Sequence, residues 1–561
     1  MARRRRARIG AAAVPIGRTA AIGLAALGGL AALAGLAAAV GPAAGTRLAP
    51  LRPGTPAASG WTVYHGASDG DGVARDAMRL SDPVLHWRAG PLDGALYGEP
   101  LEAEGRVVVA TEADTVYALA ADTGAVLWTT RLGDPVPAGE LPCGNIAPTV
   151  GVTGTPVIDL SRGELFVVAD VLRAGGPSHV LVGLDLYSGR ILSRRDVDPP
   201  GADPAAILQR TGLTLDGARV VFGFGGNDGD CGPYHGWVVS APVSGSGPVL
   251  RYEIAVRPGD RQGAVWMGGA APEVGAHGTL WIAVGNSAQL APPFDGSDSV
   301  VELSRRLRRI GLFAPADWAR DNQGDRDLGS TAPALVPNGT VVQVGKSGTA
   351  YLLRRSHLGG VGSDVVSAPA CDGTDADGGD AVLGTTVYVP CQGGIEAFRA
   401  ERSVLTERWD ARGTVPSGDG VPDRPPIVAG GLVWAIGTGT LFGLDPSSGR
   451  AQVRLPIGSN ANDFPTPSAA DGLLLVTGGT SGDEVLAFGD ATVRPLPPAA
   501  AARSPRAGTP RVRRRVTRAF ATGAKRGRAG RAHRRRNGHR LPLHAPASDG
   551  GHEHRTGVGR P

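Results

Sequence analysis

A short motif that recurs along the chain constrains its fold more than any other feature. Residues 117–128 read Tyr-Ala-Leu-Ala-Ala-Asp-Thr-Gly-Ala-Val-Leu-Trp, two apolar stretches separated by a tight Asp-Thr-Gly turn. Glycine in the turn supplies the positive φ that such a hairpin needs. The motif returns at residues 184–192 and 444–449. The sequence therefore predicts a repeat protein made of short antiparallel strands.

The spacing of the copies predicts the architecture. Gly189 and Gly449 hold the same place in two copies, and five repeats of about 52 residues, the length of four strands with their turns, separate them. Weaker copies follow at 236–240, 299–303, 348–353, 394–398 and 484–488. The last copy lacks a closing strand, which residues 84–87 can supply. We predict an all-β, eight-bladed β-propeller of four-stranded antiparallel blades, closed by an N-terminal strand in the last blade.

Two other architectures fit the same short strands. A seven-bladed ring is the main alternative, because the repeat at 371–413 is irregular, and two stacked sandwiches are the other. The 86 Gly, 45 Pro and 19% charged residues suit many turns better than long helices, and no long helix is expected between residues 61 and 490.

The charge of the chain is divided unevenly among its segments. The net charge is +5, but residues 1–60 carry +8 and residues 491–561 carry +16, which leaves −19 on residues 61–490. Nucleic-acid binding relies on basic side chains that neutralise phosphates. The acidic charge of the propeller therefore argues against nucleic acid as its partner.

The N-terminal segment predicts export from the cytoplasm. An Arg cluster is followed by an apolar stretch at residues 19–40, long enough to span a bilayer. We predict a signal peptide or a single membrane anchor at residues 1–45, a linker at 46–60 and the propeller at 61–490. Positive charges stay on the cytoplasmic side, so the propeller is expected outside the cytoplasm, secreted or held at the membrane through residues 19–40 if they are not cleaved.

The C-terminal segment, residues 491–561, is rich in Pro, Arg, Gly and His and poor in large apolar residues. This composition predicts a disordered basic tail. Such a tail can contact anionic polymers, and a solvated tail that reflects the Arg-rich composition is the alternative.

Four cysteines form an even set in a chain expected to face an oxidising compartment. Three pairings are possible. We predict the disulfides Cys143–Cys231 and Cys371–Cys391, because each cysteine lies in or beside a predicted loop and the second pair falls within one repeat.

The Ala-Asp-Thr-Gly-x-x-x-Trp repeat resembles the quinoprotein alcohol dehydrogenase-like, or PQQ-binding-like, β-propellers. This superfamily includes PQQ-dependent dehydrogenases and a cofactor-free lipoprotein of outer-membrane assembly. The resemblance covers residues 61–490, and its more specific motifs include Cys143-Gly144-Asn145, Tyr234-His235-Gly236-Trp237 and Gly345-Lys346-Ser347-Gly348.

The resemblance implies a cofactor site. In the dehydrogenases an Asp base takes the proton of an alcohol while hydride passes to the quinone, which Ca²⁺ polarises. By position, Lys346 matches a quinone-contacting Lys and Asn286 the metal ligand of a Gly-Asn pair, and Trp266 provides a floor for a flat cofactor. The remaining candidates are Thr155 for cofactor binding and Asp295 or Asp298 for the base.

Other parts of that site are absent from the sequence. The adjacent cysteine pair that covers the quinone is missing, no Arg follows Cys143 near Asn145, and the usual Glu is displaced to Glu99. Structural roles are also open: Trp128, Trp237 and Trp281 suit packing between blades, and Asn286 suits a left-handed turn.

We therefore predict a binding or scaffold module outside the cytoplasm, whose partner is an envelope protein, a glycan or a small ligand. The alternative is a PQQ- and calcium-dependent dehydrogenase that oxidises an alcohol or a sugar. Convergence of Lys346, Asn286, Trp266 and an Asp on one channel would keep the alternative open.

Overall fold

A computed structural model describes residues 60–498, except 76, 77, 79, 81, 414–423, 460 and 461. The predicted signal peptide or anchor at 1–45, residues 46–59 of the linker and residues 499–561 of the tail lie outside the described residues. Within the described ranges, no helix is both long and apolar enough to cross a bilayer.

The described chain forms eight antiparallel four-stranded blades, as predicted. Blade 1 contains the strands Leu101–Ala103, Arg106–Ala110, Thr115–Ala120 and Val126–Arg131, with Gly60–Trp61 added at its inner edge. Blade 2 contains Val157–Asp159, Glu164–Arg173, Gly176–Asp185 and Ile191–Asp196. Blade 3 contains Ile207–Leu208, Thr214–Leu215, Arg219–Gly226, Trp237–Pro242 and Leu250–Glu253, the first two sharing the inner position. Blade 4 contains Glu273–Val274, Leu280–Val284, Ser299–Leu303 and Arg309–Ala314, with Gly360–Val361 added in parallel at its outer edge.

The other four blades complete the ring. Blade 5 contains Ala334–Val336, Thr340–Gln343, Thr349–Arg354 and Val366–Pro369. Blade 6 contains Ala381–Leu383, Thr386–Cys391, Gly394–Ala400 and Leu405–Asp410. Blade 7 contains Ile427–Ala429, Leu432–Gly437, Thr440–Leu444 and Ala451–Pro456. Blade 8 contains Ser468–Ala470, Leu473–Gly478, Glu484–Asp490 and, from the N-terminal side, Pro83–Ala89.

Short elements occupy the connections. The α-helix Trp318–Gln323 lies between blades 4 and 5, and the strands Val136–Pro137 and Thr149–Val150 form a separate ribbon. The 3₁₀ helices are Tyr64–Gly66, Ala138–Glu140, Pro204–Ala206, Met267–Gly269, Ala276–Gly278, Leu328–Ser330 and Cys371–Gly373.

The ring closes as the sequence predicts. Pro83–Ala89 pairs antiparallel with Glu484–Asp490, and Trp87 lies opposite Ala487. Strands from the two ends of the propeller thus share one sheet, so blade 8 has no missing outer strand.

In its three strongest copies, the recurring motif packs the turn against the preceding blade. The indole Nε1 of Trp128, in the outer strand of blade 1, donates to the carbonyl oxygen of Leu186 at 3.0 Å, in the turn of blade 2. Gly189 in that turn has φ +67°, and a Cβ there would lie 2.5 Å from the Trp128 ring. Trp87 bonds the turn of blade 1 at Ala121 in the same way, and Trp409 bonds the turn of blade 7 at Pro446. Trp and Gly of the motif are therefore packing partners in neighbouring blades.

The segment after Trp61 fills the centre of the ring. Its backbone bonds the inner strands of several blades: the carbonyl of Thr62 accepts from Ile158, that of Ser68 from Val274 and that of Asp71 from Val382. These bonds reach blades 2, 4 and 6. The segment holds the inner strands together.

The strand order divides the loops between two faces. The tight turns that join the first to the second strand, and the third to the fourth, lie on one side, which we call the turn face. The links from the second to the third strand and from blade to blade lie on the other, which we call the connection face.

Candidate binding site at the channel mouth

Four residues from blade 4, blade 5 and the connection between them meet on the connection face around a buried carboxylate. Lys346, between the second and third strands of blade 5, donates from Nζ to Oδ2 of Asp327 at 3.0 Å. The backbone N–H of Asn286 donates to the other oxygen of Asp327, and the Asn286 amide donates to Asp325 at 2.6 Å. Asp327 precedes blade 5 and is buried. The loops thus form a compact network of Asn286, Asp325, Asp327 and Lys346.

The charges of this network favour the ammonium form of Lys346. Burial alone would lower the pKa of Lys346, but the carboxylates of Asp327, Asp377 and Asp325 raise it above its ordinary value. Lys346 is therefore a permanent cation at neutral pH and a hydrogen-bond donor only.

Two aromatic side chains, Trp266 and Phe464, lie beside this network. The Lys346 ammonium lies 5.1 Å from the centroid of the Trp266 ring, a cation–π distance. The ring of Phe464, from the connection between blades 7 and 8, lies 5.8 Å from that of Trp266 at an interplanar angle of 51°. Blades on opposite sides of the ring thus bring two aromatic rings together over the channel.

Arg210 connects the Phe464 ring to the loops that carry Tyr97 and Asp463. Its guanidinium lies 5.2 Å from the Phe464 ring and 5.6 Å from the Tyr97 ring, and donates to the carbonyl oxygen of Asp463 at 3.1 Å. The Asp463 carboxylate accepts from the Asn145 amide at 2.8 Å. Arg210, Trp266, Lys346, Phe464 and their partners form the site that we call the channel mouth.

The two predicted base candidates lie in the loop behind Asn286. Asp298 is buried; one oxygen accepts from the backbone N–H of Leu328 at 3.0 Å. Burial, and then the charge of Asp327, raise the pKa of Asp298 well above its usual range. Asp295 accepts from the hydroxyls of Ser287 at 2.6 Å and Ser297 at 2.7 Å. Both carboxyl groups hold the shape of the loop, and Asp327 is the carboxylate in contact with Lys346.

Thr155 belongs to a different network. Its hydroxyl accepts from the backbone N–H of Glu99 at 2.9 Å, and Glu99 accepts from the backbone N–H of His65 at 2.9 Å. These residues fasten the central segment to blades 1 and 2. The structure brings together Lys346, Trp266 and Asn286 of the predicted site, and leaves Thr155 in this second network.

The four cysteines form the two predicted pairs. Cys143 is bonded to Cys231, 88 residues later, and Cys371 to Cys391, 20 residues later. The first bond joins the connection after blade 1 to a loop of blade 3, and the second fixes the entry to blade 6. Both are on the connection face, where they fasten long loops around the channel mouth.

The donor set at the channel mouth does not make a preformed calcium site. Ca²⁺ binds six to eight oxygen ligands, but here each Asp327 oxygen already accepts a hydrogen bond, from Asn286 or from Lys346, and one Asp325 oxygen accepts from the Asn286 amide. Among the described residues, the only group of three acidic, His or Cys ligand atoms within 4.8 Å comprises Cys371, Cys391 and Glu396, whose cysteines are disulfide-bonded.

Two residues of the channel mouth escape sequence reasoning, because neither Arg210 nor Phe464 belongs to the repeated motif. One local signal exists at Phe464, whose φ of +57° is unusual for a bulky residue. That signal is visible only in the folded chain.

Comparison with known proteins supports the architecture. Residues 80–231 match the family model of the outer membrane protein assembly factor BamB. No curated protein sequence matches the chain.

Solved structures give the same fold over most of the chain. The quinohemoprotein alcohol dehydrogenase of Pseudomonas putida aligns with TM-score 0.56 and 13% identity over 80% of this chain and 81% of its own. That of Comamonas testosteroni aligns with 0.54 and 15% over 77% and 80%. A europium-containing methanol dehydrogenase aligns with 0.55 and 12% over 77% and 98%. These identities establish the fold alone. The repeat motif and the family-model match over residues 80–231 agree with this fold, which is similar to that of the quinoprotein alcohol dehydrogenases.

Proposed function

We propose that the protein is a binding module outside the cytoplasm whose channel mouth binds a sugar unit of an envelope glycan. The observation that carries this proposal is the meeting of Trp266 and Phe464 beside the charged groups of Arg210, Lys346 and Asp327. Aromatic faces pack against the apolar face of a sugar ring, while guanidinium, ammonium and carboxylate groups bond its hydroxyls.

Two further features support this proposal. The disulfides suit an oxidising compartment, which agrees with the predicted export. The carboxylates near Lys346 are held in fixed orientations by hydrogen bonds within the protein, and their remaining lone pairs accept from the hydroxyl groups of a sugar.

The test is binding of the full-length protein to an immobilised glycan array, followed by titration calorimetry with the strongest binder. We expect Trp266→Ala and Phe464→Ala each to weaken binding by about tenfold or more, since each removes a stacking surface. Tyr252→Ala, in the outer strand of blade 3, is the control and should leave the affinity unchanged. Absence of glycan binding, or equal loss in all three variants, would refute the proposal.

The dehydrogenase alternative is favoured by one observation, the convergence of Lys346, Trp266 and Asp327. Calorimetric titration with PQQ, with and without Ca²⁺, distinguishes the two functions. For a glycan-binding module we expect no calcium-dependent binding of PQQ. Saturable, calcium-dependent binding that Lys346→Ala weakens would favour the dehydrogenase instead, with near-ultraviolet circular dichroism as the check that the variant folds.

A further inference from the structure

A groove of about 570 Å³ opens on the turn face, where blades 4, 5 and 6 meet. This volume suits a small organic ligand. Its lining comes from turns of all three blades: His277, Thr279, Glu302, Asn338, Gly339, Thr340, Arg354, Arg355, Ser356 and Arg402. The groove is on the side of the ring opposite the channel mouth.

The strands place three arginines around this groove. Arg354 ends the third strand of blade 5 and Arg355 follows it, while Arg402 lies in the equivalent turn of blade 6. The backbone N–H of Arg355 donates to the carbonyl oxygen of Gly339 at 3.0 Å. Asn338 donates from its amide to the carbonyl oxygen of Ala400 at 2.8 Å and so fastens the two blades together. These two hydrogen bonds therefore fix the backbone at the base of the groove, from which the charged side chains extend.

The positive charge of the groove is only partly balanced by carboxyl groups of the protein, Glu302 in the lining and buried Glu273, which interacts electrostatically with Arg355. Within the described ranges, Arg354, Arg355 and Arg402 form no ion pair with a carboxylate, although neighbouring Arg399 and Glu401 pair at 3.2 Å. The Arg355 guanidinium lies 6.0 Å from the centroid of the Trp281 ring. Glu302 is the single carboxylate of the lining, against three arginines and His277.

The positive charge of the groove is opposite in sign to the net charge of the propeller, which is −19 over residues 61–490. Arginines that lack an ion-pair partner are stabilised either by solvent or by a bound anion. The guanidinium group is planar and offers paired N–H donors that match the oxygens of a phosphate. We propose that the groove between blades 4, 5 and 6 is a second binding site and that it takes a phosphate-bearing ligand.

The test compares variants of the full-length protein by titration calorimetry with inorganic pyrophosphate. We expect Arg354→Ala/Arg402→Ala to weaken binding at least about tenfold, since two charge-assisted contacts are lost. Both side chains are exposed, so folding is expected to be retained. Arg450→Ala, in the corresponding turn of blade 7, is the matched control. The Arg-rich segment after residue 511 is common to all variants and does not contribute to their difference.

Further arms of the experiment identify the source of the phosphate. If phosphatidylglycerol vesicles compete with pyrophosphate and phosphatidylcholine vesicles do not, the ligand is a lipid headgroup; if neither competes, it is a soluble phosphorylated molecule. Citrate tests the chemistry, because equal affinity for citrate would show general anion binding and overturn the phosphate assignment. Equal affinity of the wild type and the double variant for pyrophosphate would overturn the site itself.

Discussion

Three acidic residues buried between blades 1 and 2 have raised pKa values. Asp114 is fully buried, and within the described part of the chain neither of its carboxyl oxygens accepts a hydrogen bond. Burial, then the charges of Asp170 and Glu112, raise the pKa of Asp114 to about 8. Burial also raises the pKa of Glu112 to about 7 and that of Asp170 to about 6. The folded state therefore holds protons that the unfolded chain releases at lower pH.

This difference predicts that the propeller is more stable in mildly acidic than in alkaline solution. The raised pKa values mean that the folded state binds more protons than the unfolded chain above about pH 4. The free energy of unfolding therefore falls as pH rises through 6 to 8. We expect Asp114→Asn to raise the Tm at pH 8.5 relative to wild type by about 2 °C or more, and to have a smaller effect at pH 5.5.

The measurement is thermal unfolding of both proteins followed by circular dichroism at the two pH values. Asp134→Asn is the control, because this side chain is 83% exposed and the same change of charge should leave the pH dependence unaltered. An Asp114→Asn variant with the wild-type pH dependence would show that Asp114 is already ionised in the folded protein.

The residues of the channel mouth show which side chains a sequence can reveal. Lys346 is the single Lys of residues 61–490, in a chain that otherwise uses Arg, and this rarity alone marks it as a candidate. Asp327 stands among several similar carboxylates, and its contact with Lys346 is visible only in the folded chain. Arg210 and Phe464 are 254 residues apart and meet only because blades 3 and 7 face each other. Such contacts depend on which blades face each other across the ring, and no local sequence pattern encodes that arrangement.

At the scale of the element, the repeated motif predicts both strands and their packing. A tight turn needs glycine at a positive φ, and a Trp in the preceding blade covers the same glycine. The blades were predictable because this pairing repeats. The strand Gly360–Val361 was not, because it leaves blade 5 and pairs in parallel with the outer strand of blade 4, an arrangement found in no other copy of the motif within the described blades.

The dual role of the turn glycine predicts a difference between two substitutions. Gly189 and Gly201 have φ of +67° and +82°, so alanine costs about 1–2 kcal/mol of backbone strain at either position. At Gly189 the new Cβ would also meet the Trp128 ring at 2.5 Å, whereas at Gly201 no atom lies within 4 Å. We expect Gly189→Ala to destabilise by about 1–3 kcal/mol more than Gly201→Ala, since overpacking adds to strain. Denaturant unfolding measures both, and equal losses would contradict the packing role of the glycine.

At the scale of the whole molecule, closure of the ring makes distant segments depend on each other. Pro83–Ala89 completes blade 8, and its Trp87 donates to the carbonyl oxygen of Ala121 at 2.7 Å in blade 1. Arg88 also pairs with Glu484 at 2.7 Å. The same strand thus fills the last blade and fastens it to the first. The loops of the channel mouth and the turns of the arginine groove keep their positions only while the ring is closed.

Removal of this strand tests the closure directly. Deletion of residues 83–89 would leave the strand Glu484–Asp490 as an open edge and remove the Trp87 contact with blade 1. Unpaired backbone groups on an exposed edge favour association between chains. We therefore expect the deletion variant to form oligomers or aggregates in size-exclusion chromatography with light scattering. A variant lacking residues 499–561 keeps all eight described blades and should remain in the same oligomeric state as the wild type. A monomeric, fully folded deletion variant would mean that seven blades and an open eighth are stable, and that the N-terminal strand is dispensable for the ring.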